Sequence, residues 1–386
     1  MDLHIREYRE EKDREQLAPI WSVAFSGGEP VPEDKRLDKE DSSTFVVEAR
    51  GRIVAGFRVH HMTATRGETA LRCGGVAAVA VAPEFRQAGL GARMMEWSLD
   101  WMREEGFLLT SLYAFREGYY RKFGYECAGV RMRITCPNQR FPRVEPSLPV
   151  RQLTPDDWQQ LEPAYARFAR RYSGMYLPRH PERWKSVFGR RPPDPIVYAA
   201  GDPVEAYAIL RVSADFWGDE TVSELVWATP EGYRSVFAAL FGIGINRASL
   251  AWCEPSDGPF LATSVDQGVK AAYENPIMFR VLDVPAALGA LKPQASGDFS
   301  LLVHDEGVPQ NRGPWRVSFS LDGVSVEACD SAGIEMDIRH FSQAFLGEPS
   351  FAGLLGQGFV KVCREADAKS AADLLTPRAT YCLDMF

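Results

Sequence analysis

Apolar and polar positions change period repeatedly along the chain. Residues 3–9 alternate as a strand, and residues 11–25 set Leu17, Ile20, Trp21 and Ala24 at helical spacing. Strand-like runs follow at 44–49, 53–62 and 73–81, with Gly51 and Arg66-Gly67-Glu68 marking the turns. Residues 89–105 carry a long amphipathic helical pattern, 108–115 a strand, 119–123 a short helix and 127–135 another strand. A stretch with Pro137 and Pro142 reads as a linker. The order of elements then begins again. A helix over 156–171 has Thr154 as its N-cap and Pro155 at its first position. A short helix over 181–188, strands at 196–200, 205–212 and 222–229, a helix over 232–241 and a strand at 248–253 follow. That repetition of order suggests a duplication. From about residue 284 the pattern changes. A helix over 285–291 leads into strands at 299–304, 315–321 and 324–328, with Asp322-Gly323 as a hairpin turn, and helices over 338–345 and 366–375. The expectation is a mixed α/β (α+β) chain in three domains, 1–145, 146–283 and 284–386.

Composition narrows the class. Hydrophobic residues make up 45% and charged residues 25% of the 386, enough apolar surface for several cores. The net charge of −8 disfavours a nucleic-acid partner, because phosphate neutralisation calls for a basic surface. Uncharged stretches run to about a dozen residues, short of the roughly 20 that a membrane helix needs, and no apolar signal core follows Met1. Seven cysteines without a CxxC pair read as reduced thiols in a cytoplasmic protein. The adjacent His60 and His61 point to opposite faces of a strand, so no metal site is expected.

The segment from Val79 to Arg93 carries the chemistry. It runs strand, turn, glycine loop, helix, as Val79-Ala80-Val81-Ala82-Pro83-Glu84-Phe85-Arg86-Gln87-Ala88-Gly89-Leu90-Gly91-Ala92-Arg93. Gly89 and Gly91 let an anion approach the backbone, and the first amides of the helix have no internal partner. Arg86 and Arg93 can add charge-assisted bonds. The loop lacks the Lys and hydroxyl of a nucleotide phosphate loop and the third glycine of a dinucleotide fold. An ordinary strand-to-helix turn is the plain alternative.

This segment resembles the signature of the GNAT family of N-acetyltransferases. The resemblance implies acetyl-CoA as co-substrate. Val79, Ala80 and Val81 would bind its pantetheine arm through backbone groups. Arg86, Gln87, Ala88, Gly89, Leu90, Gly91 and Ala92 would hold the pyrophosphate, and Phe115 and Arg116 would line the far side. The run Tyr119-Tyr120-Arg121-Lys122-Phe123-Gly124-Tyr125 resembles the family's later segment, where Tyr120 would protonate the leaving thiolate. Tyr119 and Tyr125 stay open as rivals on spacing alone.

Two GNAT-like halves, a sterol carrier protein-like third domain and an aromatic end resemble the enhanced-intracellular-survival (Eis) type of the family. By that resemblance the α-carboxylate of Phe386 is the general base, and the assembly is a homohexamer. A tail that only seals domain contacts is the alternative. In the second half, Ser235-Val236-Phe237-Ala238 replaces the Gly-x-Gly, so that half is expected to be catalytically inactive. Trp21, Phe25, Glu29 and Asp384 are expected to wall the acceptor pocket. Carboxylates there would favour an aminoglycoside, polyamine or lysine-like amine. The competing function is a non-catalytic acyl-CoA or lipid carrier or sensor.

Overall fold

The computed structural model describes residues 3–386 apart from 189–194, 213, 216, 265, 275 and 276. The chain opens with β1 (Leu3–Glu7), α1 (Glu10–Phe25), β2 (Ser42–Ala49), β3 (Arg52–Arg66) and β4 (Thr69–Val81). Then come α2 (Leu90–Glu104), β5 (Leu109–Leu112), α3 (Glu117–Tyr120), β6 (Glu126–Cys127) and β7 (Arg131–Pro137). The middle holds β8 (Val150–Leu153), α4 (Glu162–Ala169), β9 (Ser173–Tyr176), α5 (Pro181–Phe188), β10 (Ile196–Ala200), β11 (Ala206–Leu210) and β12 (Glu220–Trp227). It continues through α6 (Pro230–Gly244), β13 (Ser249–Pro255), α7 (Pro259–Thr263), β14 (Lys270–Glu274) and β15 (Met278–Val281). The last part is α8 (Val284–Gly289), β16 (Gly297–His304), β17 (Trp315–Ser320), β18 (Gly323–Ala328), β19 (Ile334–Asp337), α9 (Ile338–Leu346), α10 (Phe351–Gly356), β20 (Val360–Val362) and α11 (Glu365–Leu374).

Among the described residues these strands form three sheets, ordered β1-β2-β3-β4-β5-β15-β6 with β9 on β3, β14-β7-β13-β12-β11-β10-β8, and β18-β17-β16-β19-β20. The sheets do not follow the contiguous boundaries that the sequence suggests. β7, expected as a strand of the first domain, pairs with β13 and β14 in the second sheet. β15 crosses back and sits between β5 and β6 in the first. Alternation along a strand fixes which face is buried, not which sheet receives it. The helix expected over 156–171 is a 3-10 turn (Pro155–Gln160) followed by α4. Pro163 has no N–H to continue the hydrogen-bond ladder from the turn before it, and it stands instead in the first turn of a new helix.

Helix α2 shows why the first sheet holds its shape. Leu90, Met94, Met95, Ser98, Leu99 and Met102 recur at helical spacing and are buried against Phe45, Phe57 and Val59. Each such apolar side chain contributes about 2 kcal/mol of burial. α1 covers the opposite face, where Leu17, Ile20 and Trp21 meet Val46, Ile53 and Ala80.

Candidate active site

Strands β4 and β5 run parallel only from Cys73/Leu109 to Gly75/Ser111. Beyond that they part, while β4 keeps its partner β3 through Val81. The register against β3 shifts between Gly56 and Arg58, which face Ala80 and Ala77 on β4. Two residues of β4, Ala78 and Val79, thus oppose one of β3, and Ala78 takes φ 53°. This bulge twists β4 away from β5. The polar groups of Val76–Val81 that would have met β5 face an opening.

The loop above that opening is shaped for an anion. Gln87 and Gly89 both adopt left-handed backbone, φ 65° and 76°. A Cβ on Gly89 would meet nothing within 4 Å. Among the described residues no backbone group accepts from the amides of Gln87, Ala88 or Gly89, and those of Leu90, Gly91 and Ala92 begin α2. Such a run of free N–H groups at a helix start matches a diphosphate. Arg86 Nε donates to the carbonyl of Val81 at 3.2 Å, which ties the loop to the end of β4. Phe115 is exposed, and its ring lies 5.6 Å from Tyr120 and 5.8 Å from Tyr119. Arg116 is exposed beside it at the start of α3.

The three tyrosines separate clearly. Tyr125 is fully buried, and its hydroxyl is bonded to Thr110 Oγ1 at 3.0 Å. Tyr119 is partly exposed, with its hydroxyl against Gly91. Tyr120 is buried among Phe115, Tyr119 and Tyr125, and no hydrogen bond among the described residues engages its hydroxyl. Burial, with Tyr119 adding to it, pushes the Tyr120 phenol up to about 12.

Phe386 lies on the other face of the same opening. Its ring packs 5.8 Å from His60, 5.4 Å from Tyr113 and 6.0 Å from Tyr176. A Cβ added to Gly75, the last residue of β4 paired with β5, would fall 2.8 Å from Phe386 Cε2. Adjacent residues of β5 divide the two sides: Thr110 bonds Tyr125, and Ser111 bonds the Tyr176 hydroxyl at 2.8 Å.

The tail reaches this point through an anchored path. Ser173 of β9 pairs with it on both sides, donating to Ala379 and accepting from Tyr381. Asp384 is the next anchor. Arg179 binds it at 2.6 Å and holds Glu224 with two bonds of 2.8 Å, all three side chains shut away from solvent. Tyr165 donates to Asp384 Oδ2 at 2.9 Å, and Tyr113 donates to the Asp384 carbonyl at 2.8 Å.

The other expected pocket residues fall differently. Asp384 is spent on Arg179 and is no free carboxylate. Trp21 is buried under the Arg58 guanidinium, 5.0 Å from its ring. Phe25 is 58% exposed at the end of α1, and Glu29 is exposed in the loop after it. The two cavities beside the tail are lined without Trp21, Phe25 or Glu29. The resemblance put Trp21, Phe25 and Glu29 at the pocket, and closeness to Phe386 put Asp384 there, but neither fixed the direction of a side chain. Arg179, Glu224, Tyr113, Tyr176 and His60 carry no sequence signal of their own, because only the fold brings them to the tail.

In the second half, the turn from β12 to α6 is closed by its own residues. Thr229 Oγ1 accepts from the Gly232 amide at 3.1 Å, and Ser235 binds the amides of Ser147 and Leu148 at 2.9 Å each.

Comparison with known proteins agrees with this architecture. Residues 4–128 and 175–281 each match an Acetyltransferase (GNAT) domain family, and residues 284–383 match the Sterol carrier protein domain family. An uncharacterized N-acetyltransferase of Streptomyces coelicolor is 27% identical over 370 residues, covering 88% of this chain and 89% of that protein. N-acetyltransferase Eis of Mycobacterium tuberculosis is 27% identical over 329 residues, covering 80% of each. The crystal structure of Eis1 from Mycobacterium abscessus superposes with TM-score 0.82 at 20% identity over the whole of both chains. A GCN5-related N-acetyltransferase from Anabaena variabilis gives TM-score 0.86 at 18% identity, again over both whole chains. The fold and the parted strands are those of an acyltransferase. The chain belongs to the Eis-type GNAT N-acetyltransferases, with two acetyltransferase domains and a C-terminal sterol carrier protein domain.

Proposed function

We propose that the protein transfers an acetyl group from acetyl-CoA to a primary amine, directly and without a covalent enzyme intermediate. The observation that carries this reading is the opening between β4 and β5, with free loop amides and Tyr120 on one side and Phe386 on the other. The loop from Gln87 to Ala92 suits the pyrophosphate, and the unpaired edge of β4 from Val79 to Val81 suits the pantetheine arm and thioester. The acceptor enters from the opposite face.

In the reaction the amine is mostly protonated at neutral pH and must first lose a proton. The carboxylate of Phe386 takes it, through water. The amine nitrogen then forms a bond to the thioester carbon while a β4 amide donates to the carbonyl oxygen. As the carbon–sulfur bond breaks, Tyr120 gives its proton to the departing thiolate. The nitrogen gives up its second proton as the carbonyl re-forms, Tyr120 regains a proton through water, and the amide and free coenzyme A leave with one net proton released to solvent. A phenol held at about 12 is fully protonated at working pH, which suits an acid. The rival acyl-cysteine route lacks a ready nucleophile, since burial pushes the Cys73 and Cys382 thiols to about 12 and Cys127 to about 11.

Release of free thiol from acetyl-CoA, with and without amine, tests the reading. Amine-dependent release that falls sharply in Tyr120→Phe is expected. Tight acetyl-CoA binding without release from any amine would favour a carrier or sensor.

A further inference from the structure

One tyrosine of the aromatic run has no task in the reaction above. The Tyr119 ring lies 5.1 Å from Tyr120, 5.3 Å from Phe123 and 5.8 Å from Phe115. Three aromatic neighbours leave the ring little freedom, so its hydroxyl is held in one place. That place is the first turn of α2. A Cβ on Gly91 would lie 2.7 Å from Tyr119 Oη and 3.7 Å from Tyr119 Cζ, and no other side chain among the described residues would come within 4 Å. The side chain is partly exposed, and no group among the described residues bonds its hydroxyl. Burial, with Glu96 adding to it, pushes the phenol up, so it remains a hydrogen-bond donor.

The two glycines of the loop differ in what they are for. Gly89 has left-handed backbone, φ 76°, and a Cβ there would meet nothing. Its backbone alone calls for glycine. Gly91 keeps ordinary helical backbone inside α2, where alanine would be the better helix former. The only thing a methyl would strike there is the Tyr119 hydroxyl. The missing side chain of Gly91 thus makes room for that hydroxyl beside an amide of the helix start, where an anion is favoured.

We propose that Tyr119 is a coenzyme-binding residue: its hydroxyl donates to the pyrophosphate at the first turn of α2, and Gly91 is without a side chain to admit it. The proposal rests on the transfer reading above for the identity of the coenzyme. The adjacent tyrosines then divide the work, Tyr120 at the departing thiolate and Tyr119 at the phosphates.

Calorimetric titration with acetyl-CoA tests this without turnover. Tyr119→Phe keeps the ring and removes only the hydroxyl. It is expected to weaken acetyl-CoA by about tenfold or more, the scale of one hydrogen bond to a charged group. S-acetylpantetheine, which carries no phosphate, should bind the variant within about twofold of the wild type, read by displacement in the same instrument. Gly91→Ala separates the hydroxyl from packing. In the wild type its methyl displaces the hydroxyl and should weaken acetyl-CoA to a similar degree. In Tyr119→Phe the nearest ring carbon stands at an ordinary contact distance, so the same methyl should cost little more. Unchanged acetyl-CoA affinity in Tyr119→Phe, an equal loss for S-acetylpantetheine, or a Gly91→Ala loss of the same size in both backgrounds would each overturn the proposal. Weakened binding in Tyr119→Phe with no thiol released from any amine supports the assignment and counts against the transfer reading alone. Amine-dependent release with unchanged affinity in Tyr119→Phe does the reverse. A wild type that binds no acetyl-CoA overturns both.

Discussion

Arg179 holds the Asp384 carboxylate at 2.6 Å, two residues before Phe386. The same guanidinium binds Glu224 with two bonds, so one cation neutralises two buried acids from distant parts of the chain. Its burial among Tyr165 and Trp184, 4.6 and 4.5 Å from their rings, makes the contact dry. This arrangement fixes where the tail ends.

Removing the cation should therefore be severe. Arg179→Met leaves Asp384 and Glu224 buried without compensation, a change of about 3–5 kcal/mol. The denaturation midpoint measures it. Adding Asp384→Asn and Glu224→Gln to Arg179→Met should recover part of the loss, because no buried charge then remains unpaired. A triple variant as unstable as the single one would show that packing by the arginine stem dominates.

Tyr120→Phe should lower kcat by roughly 10²–10⁴-fold, the usual yield of a positioned acid, with little change in the dissociation constant of acetyl-CoA. Tyr125→Phe is the control. It removes the 3.0 Å bond to Thr110 and should cost about 1 kcal/mol of stability while sparing most of the rate. Equal losses of rate in the two variants would remove Tyr120 from the acid role.

Gly75→Ala tests whether Phe386 must sit where the strands part. The new methyl would collide with Met62 Cε and lie 2.8 Å from Phe386 Cε2, so the neighbours must move. Met62 is flexible and can yield, but the ring is hemmed in by Tyr113, Tyr176 and His60. We expect turnover to fall about tenfold or more, while acetyl-CoA affinity, set on the other face, holds. Unchanged turnover would mean that the Phe386 position is not required.

Parts of the candidate site are legible in the sequence, and for definite reasons. The loop from Arg86 to Ala92 is local: its glycines, turn and helix start lie within one short segment, so sequence order and spatial order coincide. The run around Tyr120 is legible by the same logic, but what sets Tyr120 apart from Tyr119 and Tyr125 is burial and hydrogen bonding, which spacing does not encode. The tail was legible only as an apolar end. That Asp384 would meet Arg179, some 200 residues away, depends on tertiary pairing that no local pattern encodes. The exchange of β7 and β15 between sheets is hidden for the same reason, since a strand's alternation names its buried face and not its neighbour.

His60 gives the chain a stability slope at acid pH. Its side chain is 2% exposed, and burial, followed by the fields of Arg183, Arg58, Lys39 and His61, lowers its pKa to about 2 from 6.5. Asp41, 4.0 Å away, is beyond hydrogen-bond reach and does not reverse this. Above pH 6.5 neither the folded nor the unfolded chain protonates this ring, and its contribution is complete. Below 6.5 the unfolded chain takes up a proton that the folded chain refuses. Stability then falls by about 1.4 kcal/mol per pH unit, until the folded pKa is reached near 2. His60→Asn keeps a polar atom near the Nδ1 position but does not titrate. Between pH 7 and 5 the wild type should lose about 2 kcal/mol more than the variant, read from denaturant unfolding at each pH. The carboxylates common to both cancel in that difference. Parallel curves for the two proteins would mean that His60 is protonated in the fold and paired with Asp41.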